Sequence, residues 1–282
     1  MKSFLKALVS RIVRNDHLWS FLDSTVLRAS RYAEGERRKA RRGQSPRNLL
    51  LSSAIQTICP DLVVRHGVFQ GMKYPYAQAA GSALFPKLLG SYERELHPVI
   101  EEICREGYSE IVDVGCAEGY YAVGLARRLP TARIYAYDTD PEAVRLCRTM
   151  AELNGVSDRI TIGALFDAEA LKAIPFTRKG LILSDCEGFE KKLFGEETVS
   201  LLASCDLLVE VHDFLDITIS SYIRQLFEPT HDIEVIQSLD DIKKAQTYTF
   251  DELAPYDLAT RKTLLAESRP AIMEWFWMRA RK

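Results

Sequence analysis

No apolar run in the 282 residues reaches the ~18 that a membrane-spanning helix needs, so no transmembrane segment is expected. The N-terminus lacks the long apolar stretch and small-residue cleavage site of a secretion signal, which points to a cytoplasmic protein. The six cysteines, Cys59, Cys104, Cys116, Cys147, Cys186 and Cys205, are scattered, and none forms a C-x-x-C pair. That spacing excludes a structural zinc site or a disulfide framework as the organising element, and reduced thiols are expected. No internal repeat is visible. The G-x-G-x-x-G spacing of an NAD-type pyrophosphate cradle is also missing, which disfavours a nicotinamide oxidoreductase.

What is present is an uneven charge distribution. The net charge is only -2. Yet residues 1–48 carry 12 Lys/Arg against 4 Asp/Glu, and the remainder carries 25 against 35. Within the arm, Phe4, Leu5, Leu8, Val9 and Ile12 recur at helical spacing among Lys2, Lys6, Arg11 and Arg14. That pattern is a short basic amphipathic helix. Asn15 or Asp16 caps a second helix carrying Leu18, Trp19, Leu22, Val26 and Ala29, and five basic residues follow between Arg37 and Arg42. Gly43 to Pro46 reads as a break. The arm is either a contact for a membrane surface, nucleic acid or a second copy of the chain, or a helical appendage with a solvated charged face.

Residues 62–76 read as short strands punctuated by Gly67 and Gly71, part of a lid or substrate-side segment over 49–86. A helix is expected from Pro86 to Gly107, with Leu88, Leu89, Tyr92, Leu96, Val99, Ile100 and Ile103 on its apolar face. Regular alternation then begins. Strands are expected at Ile111–Gly115, Arg133–Asp138, Ile160–Gly163, Leu181–Asp185, Leu207–Val211, Ile233–Ile236 and Ala271–Met278. Helices are expected at Tyr120–Leu129, Pro141–Asn154, near Asp167–Ile174, at Phe189–Ala203 and at Ile217–Phe227. Such alternation predicts an α/β fold with a doubly wound, mostly parallel sheet over residues 87–282.

The decisive motif is Asp113-Val114-Gly115-Cys116-Ala117-Glu118-Gly119 at the first strand-to-helix turn. Small residues there let the backbone approach a ligand, and the helix start offers free N–H donors. The motif matches D-x-G-x-G-x-G, with Ala117 and Gly119 in its last two glycine positions. Asp138 ends the second strand, where a carboxylate can accept both hydroxyls of a ribose. Asp140 before Pro141 is a helix cap. Gly163-Ala164-Leu165 ends the third strand, Ser184-Asp185-Cys186-Glu187-Gly188-Phe189-Glu190 follows the fourth, and Glu210-Val211-His212-Asp213 ends the fifth.

From about Leu88 to Asp213, the chain resembles the FkbM-like branch of the class I S-adenosylmethionine-dependent methyltransferases. The similarity rests on the glycine loop, on Asp185-Cys186-Glu187-Gly188-Phe189-Glu190 and on Glu210-Val211-His212. It departs at Cys116-Ala117-Glu118, where the branch usually carries an Ala-Asn-x run. The resemblance implies a Rossmann-like seven-stranded sheet with the last strand antiparallel. It implies S-adenosylmethionine as donor and O-methylation of a hydroxyl on a sugar, glycan or related small metabolite. Donor contacts are expected from Asp113, Gly115, Ala117, Gly119, Tyr120, Asp138, Thr139 and Ala164, with adenine near Ala164.

An alcohol acceptor must lose its proton as the methyl is transferred. Asp185, His212 and Asp213 are the catalytic candidates, with His212 as a general base near neutral pH or as a hydrogen-bonding orienter of its loop. The same three residues are also the candidate ligands of Mg2+, by similarity to metal-dependent sugar O-methyltransferases. Glu187 and Glu190 either join this cluster or are first-turn acids favoured by a helix dipole. Tyr74, Tyr92 and Glu93 suit the methionine end of the donor or a sugar-like acceptor, or serve packing and capping. Trp275 and Trp277 read as core, beside Arg269-Pro270. A rival reading is an RNA or protein methyltransferase that uses the basic arm, and another is a non-catalytic scaffold. An adenine-N6 enzyme needs an Asn/Asp-Pro-Pro-aromatic motif where this chain has Ser184-Asp185-Cys186-Glu187, and no DNA partner is expected.

Overall fold

The sheet follows from strands short enough, and apolar enough, to be covered on both faces. In the computed structural model, which describes residues 45–281, seven strands lie in the order β3-β2-β1-β4-β5-β7-β6. The chain runs α1 (Pro46–Ile58), α2 (Leu84–Leu89), α3 (His97–Glu106), β1 (Glu110–Val114), α4 (Tyr120–Arg128), β2 (Arg133–Tyr137), α5 (Pro141–Leu153), β3 (Ile160–Gly163) and α6 (Ala168–Ala173). It continues through β4 (Leu181–Ser184), α7 (Glu190–Leu193), α8 (Glu196–Leu202), β5 (Asp206–Val211), α9 (Ile219–Phe227), β6 (His231–Gln237), α10 (Asp241–Thr247), α11 (Leu258–Leu265) and β7 (Glu274–Ala280). Strands β1 to β5 pair in parallel, and β7 runs antiparallel between β5 and β6. This is the mostly parallel sheet that the alternation predicts, with the Rossmann-like order and antiparallel last strand that the resemblance implies.

Every residue of β1, β4 and β5 is buried, so these three strands form the spine. Alternate residues feed two cores. Ile111 and Leu183 point into the layer built from α3, α4 and α5, whereas Val112, Val114 and Ile182 point into the layer of α7 to α9. On β7, Trp275 and Trp277 enter the first core while Phe276 and Met278 enter the second. Both faces of this strand are therefore buried, and the two tryptophans are core as expected.

The helices of the N-terminal arm and its Arg37–Arg42 run lie outside the described residues. At the arm's end, the Ser45 hydroxyl accepts from the Asn48 N–H (3.2 Å), at the start of α1. Among the described residues, no helix is long and apolar enough to cross a membrane.

Four expectations need correction. The stretch 62–76 forms no strands but a tight turn held by a single bridge, Val63 to Lys73, with the Val64 N–H donating to the Met72 carbonyl (2.8 Å). The expected helix from Pro86 to Gly107 breaks in two. Gly90 takes φ +87°, and a Cβ there would sit 2.0 Å from the His66 carbonyl oxygen. Arg65 N–H reaches the Leu88 carbonyl at this same crossing (2.8 Å), so the packed turn displaces the helix. The expected helix 189–203 divides at Phe194–Gly195, where Thr198 Oγ1 accepts from the Gly195 N–H (2.9 Å) and donates to the Leu193 carbonyl (3.0 Å). The stretch between β6 and β7, read as irregular, contains α10 and α11, capped by Asp240 and Asp257.

Replacement of Gly90 by alanine combines a left-handed backbone with a backbone clash. G90A is expected to lose about 2 kcal/mol or more of stability in denaturant unfolding. A loss under about 0.5 kcal/mol would mean that the turn at His66 does not constrain Gly90.

Candidate active site

Strand β1 has β2 on one side and β4 on the other, so the chain's winding reverses at its carboxyl end. Open parallel sheets bind ligands at such a switch point, where the two flanking loops part. A cavity of about 550 Å³ opens there. Its floor is a tight weave of backbone. Gly115 takes φ +81°, and a Cβ on it would stand 1.7 Å from the Asp185 carbonyl oxygen. The Asp185 N–H donates to the Val114 carbonyl (2.9 Å), and the Gly115 and Cys116 N–H groups both donate to the Tyr137 carbonyl (2.8 and 3.0 Å). The loops after β1, β2 and β4 are thus fixed against one another.

On one side of this floor stand the residues expected at the donor. Asp113, Gly115, Ala117, Tyr120, Asp138, Thr139 and Ala164 line the cavity. Gly119 does not; it caps α4, and a Cβ there would meet Cys147 Sγ at 2.9 Å. Asp138 accepts from the Ala117 N–H (2.9 Å) through Oδ2 and from the Asp140 N–H (2.8 Å) through Oδ1. Each oxygen keeps a lone pair for a further donor. Asp140 caps α5 by accepting from the Glu142 N–H (2.9 Å). Beyond Asp138, Ala164, Leu165 and Phe166 form an apolar slot, with the Tyr137 and Phe166 rings 5.0 Å apart. At the other end, Asp113 is buried, and its Oδ2 has no hydrogen-bond partner. Burial pushes its carboxyl up to about 7, reinforced by the charges of Asp185 and Asp138.

The ends of β4 and β5 supply a second, acidic wall. His212 is buried, with Nε2 3.4 Å from Asp185 Oδ1 and 3.7 Å from Glu187 Oε2. Its Nδ1 is hydrogen-bonded to the fully buried Glu190, which also accepts from the Gly188 N–H (3.2 Å). Asp185, Glu187 and His212 offer ligand atoms within 4.8 Å of one another, a spacing open to a metal ion. Behind them, Arg269 donates to Glu210, Glu93 and Glu267, and Lys244 pairs with Glu267 at 2.5 Å. Burial pushes the Glu93 carboxyl up, and it pushes Glu210 up further with help from the charge of Asp185.

Two assignments change here. Asp213 does not join the cluster. Its carboxylate accepts from the Ser220 N–H (2.8 Å) and hydroxyl (2.6 Å), tying the loop to α9, and Glu187 takes the third place instead. The assignment of His212 as a base near neutral pH loses support, because acids surround the ring. Burial opposes a charge on the ring, but hydrogen bonds to Asp185 and Glu190 outweigh it and raise its pKa to about 10.

Sequence comparison agrees with this geometry. A model of the ribosomal protein L11 methyltransferase (PrmA) family matches residues 98–176. A release factor glutamine methyltransferase of Dictyoglomus turgidum is 38% identical over 60 residues, 21% of this chain and 21% of that one. A tRNA1(Val) (adenine(37)-N6)-methyltransferase of Porphyromonas gingivalis is 25% identical over 171 residues, 57% of this chain and 65% of that one. The chain belongs to the class I S-adenosylmethionine-dependent methyltransferase superfamily. Its match covers 21%, 25% and 20% of three release factor relatives. Among solved structures, the O-methyltransferase TomG from Streptomyces achromogenes is 17% identical, covering 67% of this chain and 83% of that one with a TM-score of 0.43.

The superfamily's donor fits the residues present. A buried carboxylate with one unpartnered oxygen, a half-buried Asp138 with spare lone pairs and an apolar slot match the ammonium, ribose and adenine of S-adenosylmethionine. Sequence reasoning missed Lys87, Glu210 and Glu267 as lining residues, and it gave Arg269 no role in the site. Arg269 and Glu267 come from a loop without a motif. Lys87 sits in a short helix whose burial only the fold reveals.

A charged His212 carries a pH signature. A ring whose pKa rises from 6.5 to about 10 contributes stability that is complete below 6.5 and lost as pH climbs towards 10. The H212Q/E190Q double variant removes ring and acid together. Its stability deficit against wild type is expected to shrink between about pH 6.5 and about pH 10 in urea unfolding. A constant deficit would mean that the ring is neutral throughout.

Proposed function

We propose that this methyltransferase acts on a hydroxyl of a sugar, glycan or related small polar metabolite. The observation that carries the reading is the wall of Asp185, Glu187, Glu210 and Glu267 facing the cavity beside the donor residues. Carboxylates accept hydrogen bonds from hydroxyls, and the buried Trp275 and half-buried Tyr92, which also line the cavity, offer apolar faces to a sugar ring. The wall disfavours a polyanion. Four acids against Arg269 and His212 leave it negative, so an RNA backbone meets repulsion where the methyl leaves. The cavity also lies within the 300–1,000 Å³ range of small-molecule sites.

When bound, the donor supplies a sulfonium methyl. The chain's part is to align the nucleophile and to take its proton. Asp185 suits both tasks. Its backbone is fixed by Val114, its Oδ1 is buried, and the charged His212 stands 3.4 Å from that oxygen. With Asp138 and Asp113 holding the donor, its methyl would pass to the acceptor oxygen and the pair of the old carbon–sulfur bond would stay on sulfur. The hydroxyl proton passes to Asp185. His212 holds the carboxylate in place, and Glu190 holds His212.

A second reading is favoured by one observation, the convergence of Asp185, Glu187 and His212 within 4.8 Å. A divalent cation there would hold the acceptor oxygen and lower its pKa. His212 would then bind it as a neutral ring, oriented by Glu190 through Nδ1.

Calorimetric titration with S-adenosylhomocysteine separates these statements. Micromolar binding supports the donor site, and D138A is expected to weaken it at least about tenfold by removing the ribose acceptor. D185N is expected to leave that affinity within about twofold and to abolish turnover of a hydroxyl acceptor. Turnover that survives EDTA removes the cation from the mechanism. Turnover restored only by Mg2+ replaces His212 as a charged partner with His212 as a ligand.

A further inference from the structure

The loops around the acidic wall expose more apolar surface than the scheme above uses. The turn after β5 reads Phe214-Leu215-Asp216-Ile217, and its three apolar residues are 43%, 55% and 78% exposed. Polar groups fix this turn. Asp213 accepts from Ser220, Asp216 accepts from the Thr218 N–H (3.0 Å) and hydroxyl (2.7 Å), and the Leu215 N–H donates to the His212 carbonyl (2.9 Å). The apolar side chains are what the turn leaves outside.

Two further loops join it. Phe189, after β4, is 41% exposed. Beside it Gly188 takes φ +92°, and a Cβ there would stand 2.9 Å from Leu215 Cδ1, so the loops after β4 and β5 touch. Val211 pairs with Glu274, which brings the loop before β7 to the same edge, with Pro270 in the cavity lining and Ile272 exposed. Apolar side chains gathered in one exposed patch with a polar border mark a binding surface.

Two observations say what covers this rim. The first is continuity. Phe189 and Phe214 line the cavity, and the centre of the Phe214 ring lies 5.9 Å from that of His212, next to Asp185. Leu215 and Ile217 extend the apolar surface beyond the lining. A ligand that follows this path has its polar end at the acidic wall and an apolar portion running outward. The second is charge. Glu187, Asp213 and Asp216 border the rim against Lys191 and Lys192. Lys191 is paired with Asp216 at 2.7 Å, and Lys192 lies 5.3 Å from the centre of the Phe189 ring. The rim therefore has no surplus of cations to offer an anionic bilayer.

We propose that the acceptor is an amphiphile, whose hydroxyl-bearing head sits at the acidic wall and whose alkyl or acyl chain lies along Phe214, Leu215 and Ile217. The rim selects the acceptor through burial of the chain and takes no part in methyl transfer. This rests on the hydroxyl-acceptor reading above.

The test is calorimetric. Wild type, I217S and L215S/I217S, each saturated with S-adenosylhomocysteine, are titrated with the methyl and octyl glycosides of glucose, galactose, mannose and rhamnose below their micelle-forming concentrations. Neither substituted residue lines the cavity, and a side chain as exposed as Ile217 can be replaced without cost to the core. Wild type is expected to bind at least one octyl glycoside at least about tenfold more tightly than its methyl counterpart. L215S/I217S is expected to reduce that preference to about twofold or less, and I217S to lose part of it, while methyl-glycoside affinity stays within about twofold in both. Equal wild-type affinities at the two chain lengths, or an octyl preference that survives in the double variant, would overturn the inference; binding of the methyl glycosides would leave the hydroxyl reading in place. Wild type that sediments with phosphatidylcholine vesicles and shows no octyl preference makes the rim a membrane contact and overturns the inference as well. Wild type that binds no glycoside of either length overturns the hydroxyl reading and this inference with it.

Discussion

The site depends on the contact of two backbones. Gly115 ends β1 and the Asp185 carbonyl follows β4, and they meet so closely that no side chain fits between them. The strands are parallel neighbours in register, so their loops leave the sheet together and would collide unless one gave way. The absent Cβ and the left-handed turn at Gly115 let both loops stay low. As a result the β1 loop bends towards Asp138, where the Ala117 N–H finds its acceptor. By the same contact Asp185 is held by its N–H to Val114 with its side chain towards His212. Donor side and acceptor side are therefore positioned by one contact.

Much of this was legible because it is local. The Asp113-to-Gly119 motif, Asp138 at a strand end and the Asp140-Pro141 cap each combine a backbone need with a residue type that meets it. The burial of β4 and of the middle of β5 follows from the short apolar runs Leu181–Leu183 and Leu207–Val209. The illegible parts are those set by packing at a distance. Nothing in the order of residues 86–107 shows that the turn at His66 will lie across Gly90 and break the helix. Asp213 sits beside His212 in sequence, yet its loop turns it to Ser220, while Glu187 comes close to Asp185 and His212 and Glu190 takes the first turn of α7. The Asp240 and Asp257 caps were readable N-terminal signals, but short helices with little apolar periodicity gave no reason to look for them.

His212 shows how surroundings outrank residue type. A histidine of ordinary pKa reads as a base near neutrality. Enclosed by Asp185, Glu187 and the buried Glu190, the same ring is more stable charged than neutral. On the proposed mechanism the proton-accepting role then falls to Asp185. A cation at the site would reverse this balance, because a metal ligand must give up the Nε2 proton. The two mechanistic readings are therefore two charge states of one cluster rather than two sites.

The remaining acids raise the question of why the fold tolerates them. Glu93, Glu210 and Glu267 are nearly buried, and three such carboxylates cannot stay charged together without a partner. Arg269 meets all three, one through each nitrogen of its guanidinium, and Lys244 adds a second cation on Glu267. A planar fork with five donors suits this task where a lysine would not. The residues that supply it, Glu267 and Arg269, come from the loop between α11 and β7, while Glu93 comes from the turn before α3. The two helices inserted before the last strand therefore contribute to the site indirectly: they deliver the arginine that lets the acidic wall be buried beside the cavity.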